Sequence, residues 1–207
     1  MKRQYESFKK YFLALFCFFS LSSCSFLSPV KVQQPTAYVI NKVPFSVAHK
    51  RKHALTLLVA PPQVSALYDT RQMAYTIKPY QIAYFSHNEW AEKPAQMLEP
   101  LLVQTLQNTH AFRAVLTPLN AGHYDYLLNV EILQLEQDFT QRPAVLHLKS
   151  RVQLVNANAN RVIATQSFSV NERLRTPTPY SGVRAANYAT AIMLREIAAF
   201  TIHHLKR

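Results

Sequence analysis

The sequence predicts an α+β fold, a two-layer sandwich with two helices packed on one face of a mainly antiparallel sheet. Three observations carry this expectation. Long runs in the middle and later chain alternate apolar with polar residues, the period of strands that bury one face and wet the other. Two apolar stripes at helical spacing fall within residues 94–109 and 181–205. The segments follow one another as strands, helix, strands, helix, an order that segregates helices from an antiparallel sheet.

Taken in order, residues 36–40 (TAYVI) form a short first strand. Pro44 and a basic cluster, Lys50-Arg51-Lys52 flanked by His49 and His53, separate it from residues 54–60 (ALTLLVA), an apolar run suited to a buried strand. Pro61-Pro62 ends that run by removing two backbone donors. Residues 71–77 and 81–86 are two further β-rich runs around Lys78-Pro79. Their aromatics, Tyr75, Tyr80, Tyr84 and Phe85, suit a half-buried pleated surface, with core packing favoured over an exposed patch.

The first helix carries Leu98, Leu101, Leu102, Thr105 and Leu106 on one face. Pro94 fits its first turn, where a missing N–H costs nothing. A helix beginning at Asn88 would instead be kinked at Pro94. Tyr124, Tyr126, Leu128, Val130 and Ile132 then alternate with polar residues until Leu133 and Leu135 reverse the phase, which predicts a bulge. Residues 144–154 and 162–170 repeat the alternation, and Asn156 to Asn160 (NANAN) reads as the turn between them. The last helix has Ala186, Ala189, Met193, Ile197 and Phe200 as its stripe and Ser181 as its expected cap, after a stiff Thr176-Pro177-Thr178-Pro179 approach.

The N-terminus has a different composition. Lys2, Arg3, Lys9 and Lys10 precede an apolar run at residues 11–20 (YFLALFCFFS) and then Leu21-Ser22-Ser23-Cys24. A signal-peptide apolar region spans roughly 7–15 residues, whereas a membrane-crossing helix needs about 20. The tetrapeptide resembles the bacterial lipobox, in which small residues before a Cys let the processing enzymes grip an extended backbone. That resemblance implies a signal peptide over residues 1–23, lipid on Cys24 and a lipidated tether over residues 24–35, ahead of a single domain at 36–207. Two or more acyl chains hold stably where one does not. Ser25 stands where an Asp would retain such a protein in the inner membrane, so the same pattern points to the periplasmic face of the outer membrane.

Composition narrows the chemistry. The chain carries a net charge of +12 and only two cysteines and two glycines. Cys17 leaves with the signal segment and Cys24 takes lipid, so the domain has no thiol for a disulfide, a redox couple or a Cys-based metal site. Two glycines exclude a Gly-rich phosphate loop. The positive charges are scattered, and an exported protein seldom meets nucleic acid, so nucleic acid is not an expected partner. Lys50, Arg51 and Lys52 read as a solvated loop or as a contact for phospholipid headgroups or an acidic partner.

No constellation argues for catalysis or a bound metal. There is no nucleophile elbow, no His-Glu-x-x-His helix and no Cys-rich site. His203 and His204 are adjacent, and neighbouring helical residues point about 100° apart. Glu89 and Glu92 are expected near the first helix's start, where negative charge suits the dipole. No catalytic residue and no cofactor beyond the covalent lipid on Cys24 is expected.

The most informative stretch is Tyr68-Asp69-Thr70-Arg71-Gln72-Met73, then Tyr84-Phe85-Ser86-His87-Asn88-Glu89-Trp90-Ala91-Glu92-Lys93-Pro94, then Met97-Leu98. With Tyr38-Val39-Ile40 as the early strand, it resembles the ABC-type transport auxiliary lipoproteins that accompany MCE-type lipid transporters. The resemblance implies a fold like the N-terminal domain of TolB-type proteins. It also implies an accessory, non-enzymatic role in lipid transport at the outer membrane. An MCE-domain protein and an ABC permease/ATPase complex would be its partners, with membrane lipid. A homo-oligomer is compatible with this reading. A direct periplasmic lipid carrier and a general envelope-assembly lipoprotein are the alternatives. Tyr68, Asp69, Arg71, Trp90 and Pro94 are the family-motif residues expected to serve structure or partner contact. Trp90 is expected to pack between helix and sheet. Arg71 either pairs with Asp69 within a turn or offers its guanidinium to an acidic partner.

Overall fold

Period-two patterning becomes strand and 3.6-residue patterning becomes helix in the computed structural model, which describes residues 34–45, 54–120 and 122–205. The signal segment, Cys24, Ser25 and the basic cluster with His49 and His53 lie outside the described residues. Pro35–Arg207 form one compact unit. Its elements are β1 (Thr36–Tyr38), β2 (Thr56–Val59), β3 (Gln63–Val64), β4 (Gln72–Thr76), β5 (Ala83–Trp90), α1 (Pro94–Asn108), β6 (Ala114–Leu116), β7 (Tyr126–Asp138), β8 (Val145–Asn156), β9 (Arg161–Arg173) and α2 (Pro179–His203). A 3-10 turn at Pro118–Asn120 lies between β6 and β7.

Strand β7 organises the sheet. Along one side it pairs antiparallel with β8, from Tyr126↔Asn156 to Asp138↔Val145, and β8 pairs antiparallel with β9. Along the other side three short strands meet it in succession, all parallel: β2 at Leu57↔Tyr126, β3 at Val64↔Ile132 and β4 at Ala74↔Glu136. Beyond these, β6 extends β2 in parallel, β5 extends β4 antiparallel, and β1 lies parallel to β5 with Tyr38 opposite Trp90. The longest pairings are antiparallel, as expected, but the sheet is mixed.

The physical reason lies at Pro61-Pro62. Without two donors β2 cannot run on, so the chain steps away and rejoins β7 as β3, where Ser65 N–H donates to the Ile132 carbonyl. Strands of two to four residues show no period, so β3 was not expected from sequence and the orientation of β2 was not fixed by it.

Other expectations hold in detail. Ladder registry shifts between Ile132 and Gln134, so Leu133 falls off the buried set while Leu135 and Gln137 rejoin it. Asn160 closes the β8–β9 turn at φ 44°. Helix α1 begins at Pro94 rather than Asn88, because residues 83–90 stay in β5. The cap of α2 differs from expectation. Thr178, not Ser181, is the N-cap, and its hydroxyl accepts from Ser181 N–H at 3.3 Å. Pro179, with φ already fixed near the helical value, starts the helix two residues early. Ser181 instead accepts from Thr176 N–H.

Leu128, Val130, Ile132 and Leu135 of β7 share a buried face with Leu148, Val152 and Leu154 of β8 and Phe168 and Val170 of β9. Residues of both helices reach that face. Leu98, Leu102, Met193, Leu194 and Ile197 meet Val130, Ile132 and Leu148 around an apolar cavity of ≈ 20 Å³. Gly182 lets α2 approach β7 closely, since a Cβ there would stand 2.0 Å from the Gln137 side chain. Among the described residues no helix is long and apolar enough to cross a membrane.

Candidate functional site

The motif residues of the sequence gather where the β3–β4 turn meets the β5–α1 junction. A local detour makes this possible. Gln72 pairs with Glu89, but Ala74 pairs with Tyr84, so β5 bulges outward between those two contacts. The bulge returns Glu89 and Trp90 to the start of β4, where Trp90 N–H donates to the Arg71 carbonyl at 2.7 Å. Ala91 N–H then donates to the Tyr38 carbonyl, tying β1 into the same junction.

Side chains close the junction twice more. The Arg71 guanidinium donates to the Glu89 carboxylate and to the Trp90 carbonyl, the latter at 3.2 Å. Lys93 donates its ammonium to Asp69 at 3.2 Å. The Asp69–Arg71 pairing considered from sequence is therefore not formed. Each residue pairs across to the β5–α1 junction instead, Arg71 with Glu89 near the end of β5 and Asp69 with Lys93 at the N-cap of α1. Glu89 likewise lies in β5 and serves Arg71, not the helix dipole.

Beneath these ion pairs the junction is dry. Trp90 is 3 % exposed and belongs to the main core with Met97, Leu98 and Met73. Pro94 is buried at the first position of α1, whose start is braced by Gln96 Oε1 accepting from Lys93 N–H. Tyr68 is buried, and its hydroxyl donates to Glu136 Oε2 at 2.8 Å. Burial first, then the Glu136 hydrogen bond and its negative charge, push the Tyr68 hydroxyl far above the ordinary tyrosine range. It therefore stays a neutral donor. Glu136 was not singled out from sequence. Its signal was faint, a carboxylate at a solvent-phase position of β7 after the bulge.

Chemically the cluster is a latch. Its ionic groups are saturated by one another, and its hydroxyl is locked in the donor state. Among the described residues no group of three or more His, Cys, Asp or Glu is placed to hold a metal. His204 Nδ1 lies 2.9 Å from the Phe200 carbonyl and its ring stacks on Phe200, while His203 meets it edge-on. The expected aromatic packing at the β4–β5 hairpin divides. Tyr75, Phe85 and Phe139 pack together with centroids 4.4–6.3 Å apart, whereas Tyr80, at φ 64°, is fully exposed.

The fold has solved relatives. A Xanthomonas campestris protein of family DUF330 superposes with a TM-score of 0.69 at 20% identity, covering 84% of this chain and 96% of that one. An uncharacterized protein gives 0.61 at 15% identity over 77% of this chain and 98% of its own. A hypothetical protein of Chlamydia trachomatis gives 0.52 at 11% identity, over 73% and 98%. At these identities the likeness concerns the fold alone. Comparison with curated proteins finds no significant match. A family model, by contrast, matches residues 38–198, a span that contains the whole latch and most of both helices. The chain belongs to the family of ABC-type transport auxiliary lipoprotein components.

Proposed function

We propose that this protein is an outer-membrane lipoprotein, anchored through lipid on Cys24 and sorted by Ser25, that docks an MCE-type ABC lipid transporter from the periplasmic face. The family match over residues 38–198 carries the reading, and the lipobox-like Leu21-Ser22-Ser23-Cys24 supports the anchor. An adaptor needs a rigid body with a saturated interior rather than a reactive site. The latch around Trp90 supports that description, and so does the apolar cavity between the helices and the sheet, whose ≈ 20 Å³ is water-sized and too small for an acyl chain. The shared face on which both helices meet β7 and β8 also supports a two-layer arrangement like the N-terminal domain of TolB-type proteins.

Two experiments test the proposal. Cys24→Ser in the full chain is expected to abolish metabolic lipid labelling and leave the precursor unprocessed; a processed, membrane-retained Cys24→Ser protein would sink the anchor. A tagged lipidated chain is expected to co-purify an MCE-domain protein and to arrive free of phospholipid by native mass spectrometry. Recovery of stoichiometric phospholipid without an MCE protein would favour a carrier instead.

A further inference from the structure

One pole of the sheet gathers elements distant in sequence. β4 ends, and β5 begins, at the pole where β7 turns into β8. Arg173, at the end of β9, pairs with Val145, at the start of β8, so β9 ends there too, followed by the approach to α2. This pole therefore collects the hairpin tip at residues 77–82, the turn at 139–144, the segment 173–178 and the first turns of α2.

Its surface is cationic and aromatic. Lys78, Arg142, Arg173, Arg175 and Arg184 are all exposed. Among the described residues none of them has a carboxylate partner within ion-pair distance. Arg173, Arg175 and Arg184 line one open cleft with Ser181, Tyr188 and a single acid, Glu172. The other acid at this pole, Asp138, is already engaged by Thr140, Gln141 and His147. Lys42 Nζ sits 3.3 Å from the Tyr188 ring centre. Lys42 and then Arg184 draw the Tyr188 hydroxyl pKa below its ordinary value, a sign of local positive potential. Tyr80, Tyr180 and Ile77 stand out from the same pole, exposed.

The first described strand lies beside this surface. β1 runs parallel to β5, so its first residue, Thr36, stands opposite Asn88, on the hairpin-tip side of Trp90. Tyr38 stacks near Tyr180, with centroids 6.1 Å apart, and Asn187 accepts from the Asn41 and Lys42 amides, which fixes this start of the domain against α2. From Cys24 to Thr36 is at most about 40 Å of extended chain.

We propose that this pole is a membrane-facing surface, which binds the anionic phospholipid headgroups of the bilayer that carries the anchor. The orientation rests on the reading of Cys24 as lipidated; the headgroup binding does not. Guanidinium groups pair with phosphate oxygens in fork geometry, cations near an anionic surface add their attractions, and tyrosines suit the boundary between headgroups and water. The surface would hold the lipoprotein upright, leaving the rest of the domain for a protein partner.

The test uses the compact unit 35–207, which contains all the core residues and no cysteine. It is expected to sediment with vesicles of phosphatidylcholine mixed equally with phosphatidylglycerol, and not with phosphatidylcholine alone. Removing one cation should weaken partition roughly fivefold, so Arg173→Gln/Arg175→Gln/Arg184→Gln together should weaken it on the order of a hundredfold. A charge-matched variant, Lys149→Gln/Arg161→Gln/Arg195→Gln, should retain most of the binding. An environment-sensitive fluorophore on Tyr80→Cys should shift with the mixed vesicles, and one on Ala159→Cys in the far β8–β9 turn should not. Absence of phosphatidylglycerol-dependent binding, equal losses in both triple variants, or equal shifts at both labels would overturn the proposal. Because residue 24 is absent from the tested unit, failure of the lipidation reading leaves these results standing, and the reverse holds too.

Discussion

The latch around Trp90 and the cationic pole use the same residue types in opposite ways. At the latch, Arg71 and Lys93 each meet a carboxylate brought from a different segment, and Tyr68 donates inward to Glu136. At the pole, Arg173, Arg175 and Arg184 converge on one cleft that holds only Glu172 as counter-charge, and Tyr80 and Tyr180 point outward. Saturated charge holds a chain to itself. Unsaturated charge of one sign, gathered at one pole of the sheet, is available to something else.

That contrast can be broken from the latch side first. Trp90→Ala should cost about 3–5 kcal/mol, because it empties a fully enclosed site, and urea denaturation of the 35–207 unit measures it. Gly182→Ala should cost about 1–3 kcal/mol, since the new methyl overlaps Gln137. Adding Gln137→Ser should recover part of that loss; no recovery would mean the helix backbone, not the glutamine, resists the methyl. Tyr68→Phe leaves Glu136 with the Gln134 amide as its remaining side-chain donor, at about 1–3 kcal/mol. Its signature is a lower denaturation midpoint with an unchanged slope.

Two smaller effects sharpen the comparison. At the pole, burial raises the Asp138 carboxyl pKa, but hydrogen bonds from Thr140, Gln141 and His147 outweigh it and leave the net value below the ordinary 3.8. A lowered folded pKa adds stability above the unfolded value that is lost as pH falls through the folded one. Wild type should therefore lose stability below about pH 4, and Asp138→Asn should show a shallower acid limb in thermal melts. Arg71→Gln should cost least, about 0–1 kcal/mol, because its guanidinium is half exposed and screened by water. If Arg71→Gln instead left stability intact and abolished recovery of a partner, the latch would also be a contact surface.

Much of the architecture was legible because long elements repeat their period many times. β7, with its bulge after Ile132, and β8 could be read from their alternation. The β8–β9 ladder, by contrast, slips between Val162 and Ala164, so Val162 is exposed instead of sharing the buried face of Phe168 and Val170. The same reasoning placed α1 at Pro94 and put Trp90 between helix and sheet. What escaped was short or paired. β3 has two residues, and the parallel docking of β2, β3 and β4 depends on where the chain rejoins β7. Asp69 and Arg71 stand two apart in sequence, and that proximity suggested a pair. Their partners, Lys93 and Glu89, are reached only after the chain has traversed β4 and β5.

The sequence by itself determined the two helices, the meander, the likeness to a lipobox at Cys24 and the family segment around Trp90. Each of these is written in local spacing, which the backbone's fixed periods translate directly. Tertiary structure alone decided which charges were neutralised and which were left facing out. An ion pair depends on two side chains meeting within about 4 Å, and spacing along the chain does not encode that meeting. Arg71 and Arg175 look alike in the sequence; the fold gave one a carboxylate and set the other in a cleft at the pole.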